Sequence, residues 1–296
     1  MGPGSHATVA AALEINRTAL EVYAHNFPYP CVVCTIESLP ASRLRRWHAD
    51  LWWMSPPCQP FTRRGLGNDL EDPRAQALVA MIRRLGELRP RYLALENVPG
   101  FLGSRVDDLL RKTLERSGYT AVRERLLCPS EFGIPNRRRR FYLVASTERL
   151  LPVPAVSRRA LRLREYLDTC DRPELRVEPD LAKRYRGALD LVDAEDPEAM
   201  TACFTSAYGR SPVRSGSYLA AKSGIRRFSP SEILRLLGFP ASFELPAEMA
   251  LRNAWRLVGN SVSLVPVRSM LATIPELASI RPVRHSVKEM TYGGIR

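Results

Sequence analysis

The sequence predicts an open α/β sheet flanked by helices, followed by a smaller, loop-rich lobe. Three observations carry that expectation. Short apolar runs alternate with helical patterns through the first 150 residues. The runs are apolar enough to be strands buried on both faces, as in a parallel sheet. After about residue 150 the alternation stops, and residues 151–200 turn rich in Pro, Arg, Asp and Glu.

The expected strands are "TVAAALEI" (8–15), "PCVVCTI" (30–36), "DLWWMS" (50–55), "RYLALENV" (91–98) and "RRFYLVAS" (139–146). Helical patterns lie between them: "RTALEVYAHNF" (17–27), "PRAQALVAMIRRLGELR" (73–89) and "RVDDLLRKTLERSG" (105–118), the last with Gly118 placed to end it. Strand alternating with helix argues for helices on both faces of the sheet, with ligands beyond the carboxyl ends of the strands. In the later part, "LREYLD" carries a short helical signal and "ACFTSAYGRSPVRSGSYL" (202–219) scatters Gly, Ser and Pro irregularly. Helical pattern returns at "FSPSEILRLLGFP" (228–240), where Ser229 and Glu232 have capping-box spacing. A last helix is expected over roughly 261–273, after "RLVGNS".

A chain of 296 residues, 45% hydrophobic, can bury a sizeable core in one large domain or a domain with a small lobe. It has no apolar run of the roughly 18–20 residues that span a bilayer. The opening "MGPGSHATVAAALEIN" lacks the basic start of a secretory signal, so the expected compartment is cytoplasmic. A net charge of +13 favours a polyanionic partner, while a merely solvated basic surface stays open. Of six cysteines, Cys31 and Cys34 form a C-x-x-C inside an expected strand, with no second pair at zinc spacing. Neither a metal site nor disulfides are expected.

The stretch "MSPPCQPFTRRG" (54–65) sets the chemistry. Pro56 and Pro57 end a strand and stiffen the turn, which holds Cys58 at a carboxyl end where ligands bind. An isolated buried cysteine would act only as a small hydrophobe. Two further signals change that view. "YLALENVPGF" delivers Glu96 and Asn97 just before a Pro-Gly turn, and burial favours the protonated form of such a carboxyl. "FGIPNRRRRFYLVA" sets four arginines beside another apolar strand. Read alone, Glu96 could cap a helix and the arginines could bind phosphate or merely face solvent. Together, thiol, carboxyl and guanidinium on strand ends suit covalent activation of an electron-poor ring.

The segments "SPPCQPFTR", "LENVPGF", "GIPNRRRRFYLVA", "ACFTSAYG", "LLGFP" and "RLVGNSV" stand in the order found in cytosine-5 methyltransferases. They resemble most the RNA-directed branch, DNA methyltransferase homologue two, over about residues 8–275. "PPCQPFT" with "CFT" marks that branch, where bacterial DNA enzymes more often carry "PPCQGFS". The resemblance implies a Rossmann-like S-adenosylmethionine-dependent sheet with a target-recognition lobe. Residues 1–150 plus 253–275 would form the catalytic domain, 151–252 the lobe and 276–296 a tail.

The resemblance also implies roles. Cys58 would attack C6 of a cytosine, and Glu96 would hold its N3. Arg138 and Arg140, from the N-x-R-x-R pattern at Asn136, would orient the base and support the thiolate. Glu14, Ile36, Pro56, Asn260 and Ser261 would line the S-adenosyl-L-methionine pocket. Gln59, Thr62, Asn97, Cys203, Phe204, Thr205, Arg210 and Arg214 would face the substrate. The partner implied is tRNA, at an anticodon-loop cytosine and with aspartate tRNA the family's substrate, for an enzyme acting as a monomer. DNA is the alternative partner, and a silent nucleic-acid-binding remnant is a third possibility. The last arises because the family's first strand and Gly-rich cofactor loop have no match ahead of "MGPGSHATV". In the family that strand lies between those matching 8–15 and 50–55. Its loss would leave backbone groups unpaired, so a fragment is the expectation.

Overall fold

Every one of the five apolar runs contains a strand in a computed structural model of the chain, which describes residues 7–62, 69–155, 161–170, 172–221 and 224–278. The chain divides into two compact units. The first is built from the described parts of Met1–Leu127, Arg139–Ala155 and Val267–Pro282, the second from those of Cys128–Arg138, Val156–Pro266 and Val283–Arg296.

In the first unit, β1 (Ala12–Glu14) and β2 (Cys31–Val33) pair in parallel, with Leu13 opposite Val32. A second sheet holds β3 (Leu51–Met54), β4 (Tyr92–Asn97), β5 (Ala121–Leu127) and β6 (Arg140–Ser146) in the order β3-β4-β6-β5. Among the described residues no ladder joins β1 to β3, so each presents an open edge. The side chains along β1 and β3 are all half-buried, whereas β4, paired on both sides, is buried throughout.

Two expectations need correction here. The strands are not all parallel: β3 and β4 are, but β6 runs antiparallel to both β4 and β5. An antiparallel partner needs no crossover helix, and the 128–139 connection between β5 and β6 contains only a 3₁₀ turn, Pro129–Phe132. The strand β5 was also not among the expected runs. Its "AVRERLL" interleaves charge with apolar residues because it lies at the sheet edge, paired only with β6 and half-exposed.

The helices α1 (Arg17–Asn26), α3 (Gln76–Leu88) and α4 (Arg105–Arg116) fall where the periodicity placed them, and a six-residue α2 (Ala41–Arg46) adds to them. Residues Pro73–Ala75, expected in α3, form a separate 3₁₀ turn capped by Asp72. Gly118 follows α4 at φ 79°, the left-handed residue that ends the helix. Leu78, Ile82 and Leu85 of α3 and Val106, Leu110 and Leu114 of α4 pack on Leu93, Leu95, Phe141, Leu143 and Ala145 of the sheet. Each such burial contributes about 1.5–3 kcal/mol, which fixes β4 and β6 as the rigid frame for whatever their ends carry.

The second unit is more regular than its composition suggests. It contains α5 (Pro179–Arg184) and a three-stranded sheet of β7 (Asp190–Asp193), β8 (Ser217–Ala221) and β9 (Gly224–Arg227). The helices α6 (Pro230–Leu236) and α7 (Leu251–Asn260) follow, and then α8 (Leu264–Leu271), whose residues from Val267 belong to the first unit. The segment "RLVGN", expected ahead of the last helix, is itself the end of α7. The capping box at α6 forms as expected: Ser229 Oγ accepts from Glu232 N–H at 3.1 Å, and Glu232 Oε2 accepts from Ser229 N–H at 2.8 Å. Glu232 is fully buried and is also held by both terminal nitrogens of Arg226. Phe204, Tyr208, Tyr218, Phe228 and Trp255 form the aromatic core.

Candidate active site

The carboxyl ends of β3 and β4 carry the first group of expected residues. The parallel register pairs Met54 with Leu95, so Ser55 and Pro56 leave β3 beside Glu96 and Asn97. Asn97 Nδ2 donates to the Pro56 carbonyl at 3.4 Å and ties the two ends together. Cys58 then opens a 3₁₀ turn, Gln59–Phe61, closed by Phe61 N–H donating to the Cys58 carbonyl at 3.0 Å. The thiol residue is half-buried. Gln59 and Thr62 lie on the same turn, and Thr62 Oγ1 donates back to the Gln59 carbonyl at 3.2 Å.

The turn is clamped from below by aromatics. Phe61 is buried and meets Phe101 edge-on at 5.1 Å, and Phe101 stacks on Phe141 at 5.8 Å. This stack links the turns after β3 and β4 to the start of β6. Gly100 lets the two turns touch, because a β-carbon there would overlap the Phe61 carbonyl oxygen.

Glu96 sits on β4 with 7% exposure, and Arg140, beginning β6, places Nε 3.3 Å from Glu96 Oε1. The antiparallel register explains the meeting: Asn97 faces Phe141, so the residue before Phe141 reaches the end of β4. A desolvated carboxyl held by a guanidinium is fixed in direction. The pattern N-R-R-R-R resolves by alternation, with Asn136 and Arg138 buried, Arg140 half-buried, and Arg137 and Arg139 exposed.

A nearby cation was missed in the sequence. Arg74 is bound to Asp72 through Nε and Nη2 at 2.9 and 2.6 Å, on a turn packed against that of Cys58, and it interacts electrostatically with Cys58. The guanidinium beside Asp72 holds that carboxyl down to about 2. "EDPRAQ" carried the signal, since an Asp before Pro-x at a helix start accepts backbone N–H groups.

Three of the residues expected at the cofactor also lie at carboxyl ends in this unit. Glu14 ends β1, Ile36 follows β2 and Pro56 follows β3. Glu14 Oε1 accepts N–H groups from Ile15 and Asn16 at 2.8 Å each, which orients the carboxylate at the strand end. Its other oxygen has no hydrogen bond among the described residues, as an acceptor for two ribose hydroxyls requires. Ile15 beside it is 63% exposed and Val33 58%, an apolar surface suited to a purine. These residues fit an adenosyl group.

The second group stands within the other unit. Arg138 is 4% exposed, and its fork is spent on main-chain carbonyls. Nη1 donates to Phe204 O at 2.9 Å and lies 3.4 Å from Cys203 Sγ, while Nη2 donates to Gly259 O at 3.4 Å and also to Ser261 O. One side chain therefore joins the "CFT" segment to the end of α7. Asn136 adds to the same seam, donating to Thr201 Oγ1 at 3.0 Å and Ala202 O at 3.1 Å. A β-carbon at Gly259 would overlap the Thr205 main chain, so only glycine permits that approach. Asn260 is exposed, and Ser261 Oγ donates to Leu257 O at 3.0 Å. Arg210 and Arg214 are exposed, the latter at φ 54°. Among the described residues no three of His, Cys, Asp and Glu gather as metal ligands, and no helix is long and apolar enough to cross a membrane.

A profile of the C-5 cytosine-specific DNA methylase family matches residues 4–165 and 193–275. The chain belongs to this family. Within it, the chain is 30% identical to a tRNA (cytosine(38)-C(5))-methyltransferase of Spodoptera frugiperda over 92% of its own length and 93% of the relative's. A DNA (cytosine-5)-methyltransferase of Dictyostelium discoideum is 26% identical, with 90% and 87% covered. The crystal structure of the S. pombe Dnmt2 methyltransferase superposes with a TM-score of 0.82 at 29% identity, covering 93% of each chain. The α/β methyltransferase fold expected from the sequence is thus the fold found. The turn bearing Cys58 follows β3, next to the β4 end where Glu96 meets Arg140.

Proposed function

We propose that this methylase transfers a methyl group from S-adenosyl-L-methionine to C5 of a cytosine in tRNA, in the anticodon loop. The observation that supports this most is the Cys58 turn fastened by Asn97 and Phe101 to the end of β4, where Glu96 meets Arg140 from the start of β6. Cys58, as thiolate, forms a bond to C6 of the base. Glu96 holds N3 and supplies a proton or hydrogen bond as the ring gains electron density, with Arg140 fixing its direction. Arg74 supplies positive charge near the thiolate.

The bound cofactor supplies an electrophilic methyl group for C5. Loss of the C5 proton then breaks the sulfur–C6 bond and restores Cys58. Glu14 would accept the ribose hydroxyls, with Ile36 and Pro56 beside the adenosyl group and Asn260 and Ser261 completing the pocket. Arg138 acts as a positioning residue: it sets "CFT" against α7, so that Cys203 and Thr205 are presented to the RNA, whereas Phe204, expected at the substrate, is buried in the aromatic core and anchors the segment instead. Arg210 and Arg214 contact phosphates. A loop nucleotide suits this chemistry, since extruding it from the stack costs less than extruding a paired base.

The similarity to named tRNA enzymes along nearly their whole length supports RNA over DNA. The test is radiolabelled methyl transfer with aspartate tRNA, other tRNAs and duplex DNA in parallel. 5-Methylcytosine confined to a tRNA anticodon loop is expected. Methylation of duplex DNA alone contradicts the choice of substrate.

A further inference from the structure

The short helix α2 is held to the first unit by few apolar contacts. Leu44 is its single buried residue, and Trp47, which ends it, packs half-buried against the cluster of Leu39, Leu44 and Met81. The remaining surface is "ASRLRR", with three arginines and no carboxylate. Beside it opens a groove of about 550 Å³ lined by Pro40, Ser42, Arg43, Arg46 and Trp47. None of these residues takes part in the site described above.

The lining is of two chemical kinds. Trp47 offers an indole, with the Arg43 guanidinium 5.8 Å from its ring centre and Pro40 alongside. Arg43 and Arg46 are exposed, and neither forms an ion pair among the described residues, whereas Arg45 is neutralised by Glu87 at 2.9 Å. A purely apolar ligand leaves two cations uncompensated. A simple anion leaves the indole and proline unused. A nucleotide satisfies both, with its base stacked on the aromatic and guanidinium planes and its phosphates on the arginines.

We infer that the Trp47 groove binds a nucleotide of single-stranded RNA, outside the active site. RNA rather than another polynucleotide follows from the function proposed above. The groove anchors substrate and takes no part in the chemistry.

The test uses the full chain and a fluorescein-labelled ten-residue single-stranded oligoribonucleotide, read by anisotropy across a salt series and by tryptophan quenching. Trp47→Ala is expected to weaken binding roughly tenfold and to remove the quenching component, and Trp47→Phe, which keeps a smaller stacking ring, to remove the quenching with a lesser loss of affinity. Arg43→Gln with Arg46→Gln is expected to lower the slope of log affinity against log salt by about 1.4, at about 0.7 per phosphate contact on a single strand. Arg46→Gln alone leaves the apolar packing untouched and should give about half that change. An abasic oligomer should bind the wild type no better than the intact one binds Trp47→Ala. Unchanged affinity and slope in all variants overturns the inference. So does displacement of the RNA by an acidic peptide at equal charge concentration, which would make the groove a protein-docking site. Methyl transfer is not read. A chain that binds RNA here yet methylates no tRNA keeps this site and loses the function proposed above.

Discussion

Gly100 lies against the Phe61 carbonyl so closely that only a hydrogen fits between them. That contact sets how the turn after β4 meets the turn bearing Cys58. Gly100→Ala is therefore expected to push the turns apart. A loss of about 1–3 kcal/mol, typical of overpacking, is expected in denaturant melts, with a larger fractional loss of methyl transfer than of tRNA affinity. Equal stability and activity would show that the contact relaxes without moving the thiol.

Glu96→Gln keeps an oxygen for Arg140 while removing the acid. Methyl-transfer kcat is expected to fall by about 10²–10⁴ with little change in thermal midpoint. Arg140→Lys should fall less in kcat than Glu96→Gln, because an ammonium supplies charge without the planar donor geometry.

Arg138 has a different expected signature. Its bonds run to Phe204, Gly259 and Ser261, all in the second unit. Hydrogen bonds from a charged group contribute about 1.5–3 kcal/mol each, and orphaned carbonyls add to the loss. Arg138→Met should lower stability by about 3 kcal/mol or more and raise KM for tRNA. In the fraction that stays folded, reaction of Cys58 with a small thiol reagent should continue at the wild-type rate.

The Asp72–Arg74 pair gives a pH dependence of known sign. Asp72 is held at about 2 in the folded chain, against about 3.9 in an unfolded one. Its contribution is therefore present in full above pH 4 and is lost as pH falls from about 4 towards 2. The gap in thermal midpoint between wild type and Asp72→Asn should close across that window and stay constant above it.

Much of this site is legible in the sequence because strand ends are punctuated. Pro56 and Pro57 mark the end of β3, and Pro99 with Gly100 follows β4, so Cys58 and Glu96 are found at carboxyl ends before any coordinates exist. Arg140 is legible through the N-x-R-x-R pattern that the resemblance supplies, and it stands beside Glu96 at the start of β6. The role of Arg138 is not, because the main-chain carbonyls it bonds lie 66 to 123 residues away and leave no trace in side-chain identity. The antiparallel direction of β6 and the edge strand β5 escaped for a related reason. Pairing direction depends on the route of a connection, and an edge strand carries charge that breaks up its apolar run.

The central claim is that Cys58 forms the bond to the target base. It is tested most directly by incubating the chain with S-adenosyl-L-methionine and tRNA containing 5-fluorocytidine, whose C5 cannot release a proton, and mapping the trapped adduct by mass spectrometry. A denaturant-stable complex with the nucleotide on Cys58, absent in Cys58→Ala, is the expected result. Methylation of ordinary tRNA with no adduct, or an adduct on Cys203 or Cys128 instead, would contradict it.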